Sequence, residues 1–336
     1  MELVNRTPFA AERLLSVDRT GSEVLVVVVK STFEVGDEGV LTLAEAQSPV
    51  MLADSFLGEP GLSSIRDASD LHPEKPGCDL ILRGEVRPPR PALAVKVSFR
   101  VGEMKRVARV FGPRVWMKRL GFSRISDPTP FESIPLIWEN AFGGRDTSHS
   151  DPARHECEAR NPVGRGFRAR KSKAEVLDSP LPSIEDPSDL ITSPKDRPKP
   201  MGFGFVGRDW APRVGFAGTY DDAWQKSRMP LLPDDFDNRY YDCAPTGLVA
   251  ARAPQAGTPV EVRGMRPDRD VKFHLPAVAP RADVLMKASR HPLEFRLNTV
   301  LVDTDTLNLV MTHSAHLRIH GQVDNVAAVL VNGDWT

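Results

Sequence analysis

The sequence predicts a mainly β protein, with antiparallel sheets in a sandwich or barrel-like arrangement, long ordered loops and little helix. Three observations carry this reading. Thirty prolines and 24 glycines among 336 residues are too many for a helical bundle, because both residues interrupt element interiors and gather in turns. Residues 23–35, EVLVVVVKSTFEV, form a β-branched run entered through a turn at Asp18-Arg19-Thr20-Gly21. Several further segments alternate apolar with polar residues between Pro or Gly, as antiparallel strands with one wet face do.

In chain order, Glu23–Val35 seeds the first sheet, and Asp79–Glu85 (DLILRGE), Ala94–Val101 (AVKVSFRV) and Lys105–Val110 (KRVARV) read as antiparallel strands with one wet face. These segments define an N-terminal β region over residues 1–125. Residues 126–245 show little periodicity but hold Trp138, Trp210, Trp224, Tyr220, Tyr240 and Tyr241. Disordered segments lack such aromatics because they bury too little apolar surface to offset ordering entropy. The stretch therefore reads as ordered loops packed on the sheets, except for the Pro- and Lys-rich Ser188–Pro200, which reads as mobile. Strand patterning returns over residues 246–336, at Pro259–Gly264, Val271–Leu275, Leu293–Val302, Leu307–Met311 and Ala327–Val331. Arg83-Gly84 with Val95-Lys96-Val97 is similar to Arg263-Gly264 with Val271-Lys272-Phe273, a weak sign of a duplicated ribbon. The three regions are expected to form one continuous unit.

Composition narrows the function. Lys plus Arg is 44 and Asp plus Glu is 45, so no net field draws in nucleic acid or an anionic membrane. The three cysteines, Cys78, Cys157 and Cys243, are odd in number and widely spaced, which fits a reducing compartment better than a disulfide framework. Met1-Glu2-Leu3-Val4-Asn5-Arg6 lacks the basic-then-apolar form of a secretory leader. The longest apolar run, Val24–Val29, is far short of the roughly 20 residues that span a bilayer. A cytoplasmic protein without membrane insertion is expected.

The constellations that could carry chemistry are weak. Gly202-Phe203-Gly204-Phe205-Val206-Gly207 matches a dinucleotide-binding pattern, but Lys199-Pro200-Met201 precedes it and Arg208-Asp209-Trp210-Ala211-Pro212 follows. The required strand and helix are therefore missing, and no cofactor is expected. His313, His316 and His320 would share a face only on a helix, and on the strand expected there they read as surface histidines. His149, His155, Glu156 and Cys157 match no zinc spacing, so no metal is expected. Asp234, Asp235 and Asp237, near Asp221 and Asp222, could supply a glycosidase with an acid and a base. Solvated turn carboxylates or caps are the simpler reading.

A resemblance adds to this. Asn5-Arg6-Thr7-Pro8-Phe9-Ala10-Ala11 with Asp18, Gly21 and EVLVVVVKSTFEV opens the pattern, and Phe131-Glu132-Ser133-Ile134-Pro135-Leu136 leading into Trp138-Glu139-Asn140-Ala141-Phe142-Gly143-Gly144 forms its centre. Asn161-Pro162-Val163-Gly164-Arg165-Gly166-Phe167 follows. The longest series runs from Pro200-Met201-Gly202-Phe203-Gly204 through Trp210-Ala211-Pro212-Arg213, Ala217-Gly218-Thr219-Tyr220-Asp221, Trp224 and Pro233-Asp234-Asp235-Phe236-Asp237 to Ala244-Pro245. From about Asn5 to about Val310 the chain resembles a bacterial family long described as a domain of unknown function. Its members lie beside genes for type VI secretion spikes, PAAR-like tips and toxins, and are regarded as effector adaptors or chaperones. Some carry pentapeptide repeats, which this sequence lacks. Met311-Thr312-His313 departs from the family's Trp-Arg pair, and Thr246-Gly247-Leu248 departs from its polar residues after Ala-Pro.

The resemblance implies a non-enzymatic adaptor or chaperone that binds a type VI effector, keeps it soluble and loads it onto a PAAR-like tip or VgrG-type spike. The partner-contacting residues it implies are Trp138, Phe142, Arg165, Phe203, Trp210, Arg213, Tyr220, Asp221, Trp224 and Asp235. Packing is the simpler role for the aromatic members. Arg165, Arg213, Asp221 and Asp235 are candidates for exposed polar contacts, or else for buried ion pairs. A glycan- or cell-wall-acting hydrolase built on Asp234, Asp235 and Asp237 is the alternative.

Overall fold

The structure is a computed structural model describing residues 1–120, 122–172, 174–287 and 289–336. Strand takes 41% of the chain and helix 8%, so the protein is mainly β, as its turn residues and alternation require. The largest sheet has the order Val249–Ala250, Cys78–Arg83, Arg296–Asp303, Asn308–Arg318, Glu23–Val35, Ala10–Val17, with Leu41–Leu43 added beside Glu23–Val35. A five-stranded sheet runs Ile184–Glu185, Met104–Phe111, Ala94–Val101, Pro259–Arg263, Val271–His274. A four-stranded sheet runs Glu2–Asn5, Val326–Trp335, Val278–Met286, Ser289–Glu294. None of them closes into a barrel among the described residues.

Glu23–Val35 is the spine of the largest sheet because it is apolar on both faces. Leu25, Val27 and Val29 pack into a core shared with Val284, Val329 and Val331 of the four-stranded sheet. Val24, Val26 and Val28 pack instead with Val50 and Leu71. Each such side chain contributes about 1.5–3 kcal/mol when buried. The turn leading in is fixed by Asp18, whose carboxylate accepts the N–H groups of Thr20 (2.8 Å) and Ser22 (3.0 Å), while Gly21 takes the positive φ of 86° that L side chains rarely adopt.

Several elements differ from the sequence expectation, each for a physical reason. Leu293–Val302 is divided: Ser289–Glu294 belongs to the four-stranded sheet and Arg296–Asp303 to the largest one. A change of sheet at Phe295 leaves the apolar alternation unbroken. Asn308–Arg318 extends well beyond Met311, because it pairs along its whole length with Glu23–Val35. Ala10–Val17 and Val278–Met286 were not anticipated. The first is poor in β-branched residues, and the second contains Pro280, which sits opposite Gly333. The suggested ribbon duplication has no structural counterpart, since Cys78–Arg83 and Ala94–Val101 lie in different sheets whereas Pro259–Arg263 and Val271–His274 pair with each other. Ser188–Pro200 is tied down: Ile191 packs with Trp116, Phe142 and Leu181, and Asp196 accepts the N–H groups of Thr192 and Ser193.

Residues 126–245 form a layer of loops, 3-10 turns and two-residue strands, with a single short α-helix at Asp222–Ser227 among the described residues. Aromatic rings take the place of periodicity in holding it. The indole N–H of Trp138 donates to the Phe205 carbonyl (2.9 Å), and its ring meets Trp210 edge-on at 5.7 Å. Gly202 lies against the Trp138 ring so closely that a Cβ would come within 2.5 Å of a ring carbon, and Gly207 lies against Trp210 in the same way. The glycine pattern that imitates a dinucleotide loop is thus a packing requirement. Gly202→Ala is expected to lower the unfolding free energy by about 2 kcal/mol through overpacking. Urea denaturation reads this directly, and an unchanged midpoint would show that the indole can move aside.

Candidate functional site

The residues implied as partner contacts separate into two groups. Trp138, Phe142, Phe203, Trp210 and Arg213 are buried, each at most 5% exposed, and their side chains serve the interior. Arg213 is neither exposed nor part of an ion pair among the described residues. Its guanidinium donates to the carbonyls of Val206 (2.7 Å) and Tyr240 (2.8 Å). Half-buried Arg165 likewise donates to the Glu139 carbonyl and to Asn140 Oδ1, which holds the turn that carries Trp138. Asp221 caps the short helix by accepting Trp224 N–H (2.8 Å). Asp235 accepts both the N–H and the hydroxyl of Thr219. Tyr220 faces outward and meets half-buried Trp224 edge-on at 4.7 Å; the Trp224 indole N–H donates to the Leu231 carbonyl (2.8 Å).

Those two rings belong to a larger aromatic surface. All three tyrosines of the chain, Tyr220, Tyr240 and Tyr241, converge there with Trp224 and Phe236. Tyr240 and Tyr241 stand 6.0 Å apart, and both contact Phe236. Tyr220 is 53% exposed, and Met229 beside the helix is more so. Burial first, and then the neighbouring Tyr240, raise the Tyr220 pKa; burial pushes Tyr241 up to about 12. None of the three phenol groups bonds to another group of the chain among the described residues, although such groups normally find a partner when they pack. Arg208 flanks the patch, held in a fork by Asp54 (2.6 and 3.1 Å).

A buried clamp beneath the patch fixes it to the largest sheet. Asp79, fully buried at the start of its strand, accepts the N–H groups of Cys243 (2.8 Å) and Ala244 (2.9 Å) and pairs with Lys75. Burial presses the Lys75 ammonium toward neutrality, but the Asp79 charge outweighs this and its pKa rises. Asp242 accepts Gly77 N–H (3.0 Å) from the other direction. Burial, and then the charge of Asp79, push the Asp242 pKa up to about 6. His72 lies under Tyr241 at 6.1 Å, with a pKa lowered by burial, and its carbonyl accepts His316 Nε2–H (3.0 Å).

The groups proposed for other chemistry are held by ordinary turn contacts. Asp235 and Asp237 are kept below the usual carboxylate range by their bonds to Thr219 and Arg239, the opposite of what a general acid needs. Asp234 is exposed and meets Arg228. His149 accepts Asp151 N–H, and His155 bonds the His149 carbonyl. His313 is buried, contrary to the surface position expected, and burial lowers its pKa to about 4. No helix among the described residues is long and apolar enough to cross a membrane.

Tyr240 and Tyr241 carried no mark in the sequence beyond being aromatic, and nothing in the spacing of Lys75, Asp79 and Asp242 from Cys243 reveals the clamp. Two outcomes test its energetics. Asp79→Asn leaves Lys75 buried without its counter-charge and should cost about 3–5 kcal/mol of stability, read by denaturant titration. The Asp242 pKa is higher in the folded chain than its ordinary value of 3.8, so the native state holds this proton more tightly. Stability therefore falls as pH rises through about 6. Asp242→Asn should stabilise the protein by about 1–2 kcal/mol at neutral pH, less than a full shift implies because the group is partly solvated. The gain should vanish toward the ordinary carboxylate range; a pH-independent difference would contradict the assignment.

No curated protein and no solved structure matches the chain. The family model described as an uncharacterized protein conserved in bacteria, DUF2169, matches residues 20–314. The match takes in the spine strand, the clamp and every loop that carries the aromatic patch, and the protein therefore belongs to this bacterial family.

Proposed function

We propose that the protein is a non-enzymatic adaptor or chaperone that binds a type VI secretion effector in the cytoplasm. On this reading it keeps the effector soluble and loads it onto a PAAR-like tip or VgrG-type spike. The observation that carries the reading is the aromatic patch, in which all three tyrosines present phenol groups that bond to no other group among the described residues. Tyrosine, tryptophan and arginine are the residues enriched where proteins dock, because they offer large rigid area with a polar tip. The loops bearing them are fastened by Arg213 and Asp79 from below, so little ordering entropy opposes association. Resemblance of the motifs around Trp138 and Trp210 to the adaptor family supplies the partner class.

Co-expression with the toxin encoded beside its gene should yield a complex on a sizing column and raise the toxin's soluble yield. Tyr220→Ala should weaken that complex by about 2 kcal/mol, roughly 30-fold, with thermal stability unchanged. A toxin whose yield is unaffected and which elutes alone would refute the proposal.

A further inference from the structure

Most outer edges of the sheets are short or interrupted. Ile184–Glu185 and Val249–Ala250 are two residues each, Glu2–Asn5 and Val271–His274 four each, and Ser289–Glu294 contains Pro292. Ala10–Val17 is different. It has eight residues without proline or lysine, and its register with Glu23–Val35 has no bulge. A long flat edge of this kind is a template for another strand.

The direction of its free groups follows from one bond. Asp18 N–H turns inward to the Ser22 carbonyl (2.9 Å), and successive residues alternate sides, so Ala11, Arg13, Leu15 and Val17 direct their backbone groups outward. Arg13 N–H reaches only the Glu12 side chain (2.9 Å), and no backbone partner meets the other three among the described residues. Each face of the edge mixes apolar side chains with one charge: Ala11, Leu15 and Val17 share a face with Arg13, and Ala10 and Leu14 share the other with Glu12. Leu15 and Val17 are 39% and 46% exposed, and Leu14 lines a groove of about 540 Å³ with Leu52 and Leu71 and the polar Glu12, Arg13, Ser69 and Arg208. A strand added here must keep like charges away from Glu12 and Arg13.

We propose that the occupant is the same edge of a second copy, paired antiparallel with Leu14 on the two-fold axis. This register sets Ala11 against Val17 and Arg13 against Leu15, so every outward backbone group gains a partner. Glu12 then meets Ser16, and no like charges face each other. Centring on Arg13 would oppose two arginines, and centring on Leu15 would leave Ala11 outside the ladder. The result is an isologous dimer with one continuous sheet.

Light scattering behind a sizing column should give about twice the chain mass of 37.1 kDa. Leu15→Pro removes an outward N–H that the fold does not use, and should weaken self-association at least about tenfold while leaving circular dichroism unchanged. Leu14→Lys and Leu14→Glu should each be monomeric, because like charges would meet on the axis, yet associate when mixed. A wild-type monomer at the highest concentration reached would overturn the proposal and leave the edge to a strand from a different protein. So would a dimer that all three substitutions leave intact.

Discussion

Asp79 is the constraint on which the arrangement turns. A carboxylate with no solvent contact is tolerable only when its charge and its lone pairs are matched. Here Lys75 supplies the charge, and the N–H groups of Cys243 and Ala244 supply the bonds. Those two N–H groups lie at the end of the aromatic loop layer, whereas Asp79 lies on a strand of the largest sheet. Satisfying one buried charge therefore decides where the whole layer sits. Arg213 repeats the device a few residues away by bonding the Val206 and Tyr240 carbonyls.

The framework was largely legible in the sequence. Val24–Val29 can only be a strand buried on both faces, and Ala94–Val101 keeps its expected limits. What the sequence could not convey was which sheet a strand would join, since Leu293–Val302 carries one pattern across two sheets. It also left the role of the motif residues open. Packing is the simpler reading for Trp138, Phe203 and Trp210 and is where the structure puts them, because the loop layer needs such side chains for its own packing. Arg213, read as an exposed contact or a buried ion pair, instead bonds two backbone carbonyls. The outward tyrosines gave no separate signal, since an aromatic in a loop reads the same whether its ring faces in or out.

A division of labour follows. Where strands pair, valines and leucines hold the chain together through many small contacts. Where they do not, a few large side chains with a polar handle do so, each joining a ring or guanidinium to a backbone carbonyl. The outer layer is consequently irregular without being loose.

The order of strands in the largest sheet also bears on how the chain is made. Glu23–Val35 lies beside Asn308–Arg318, and a contact such as Ser31 with Met311 spans 280 residues of sequence. At a ribosomal pace of about 5–20 residues per second, the valine run is synthesised roughly 15–60 seconds before its neighbour. Until then Ala10–Val17, Leu41–Leu43, Val50 and Leu71 can cover part of it, but the edge that Asn308–Arg318 will fill has no partner among its pairings. A long backbone edge is therefore left open while most of the chain is still being made.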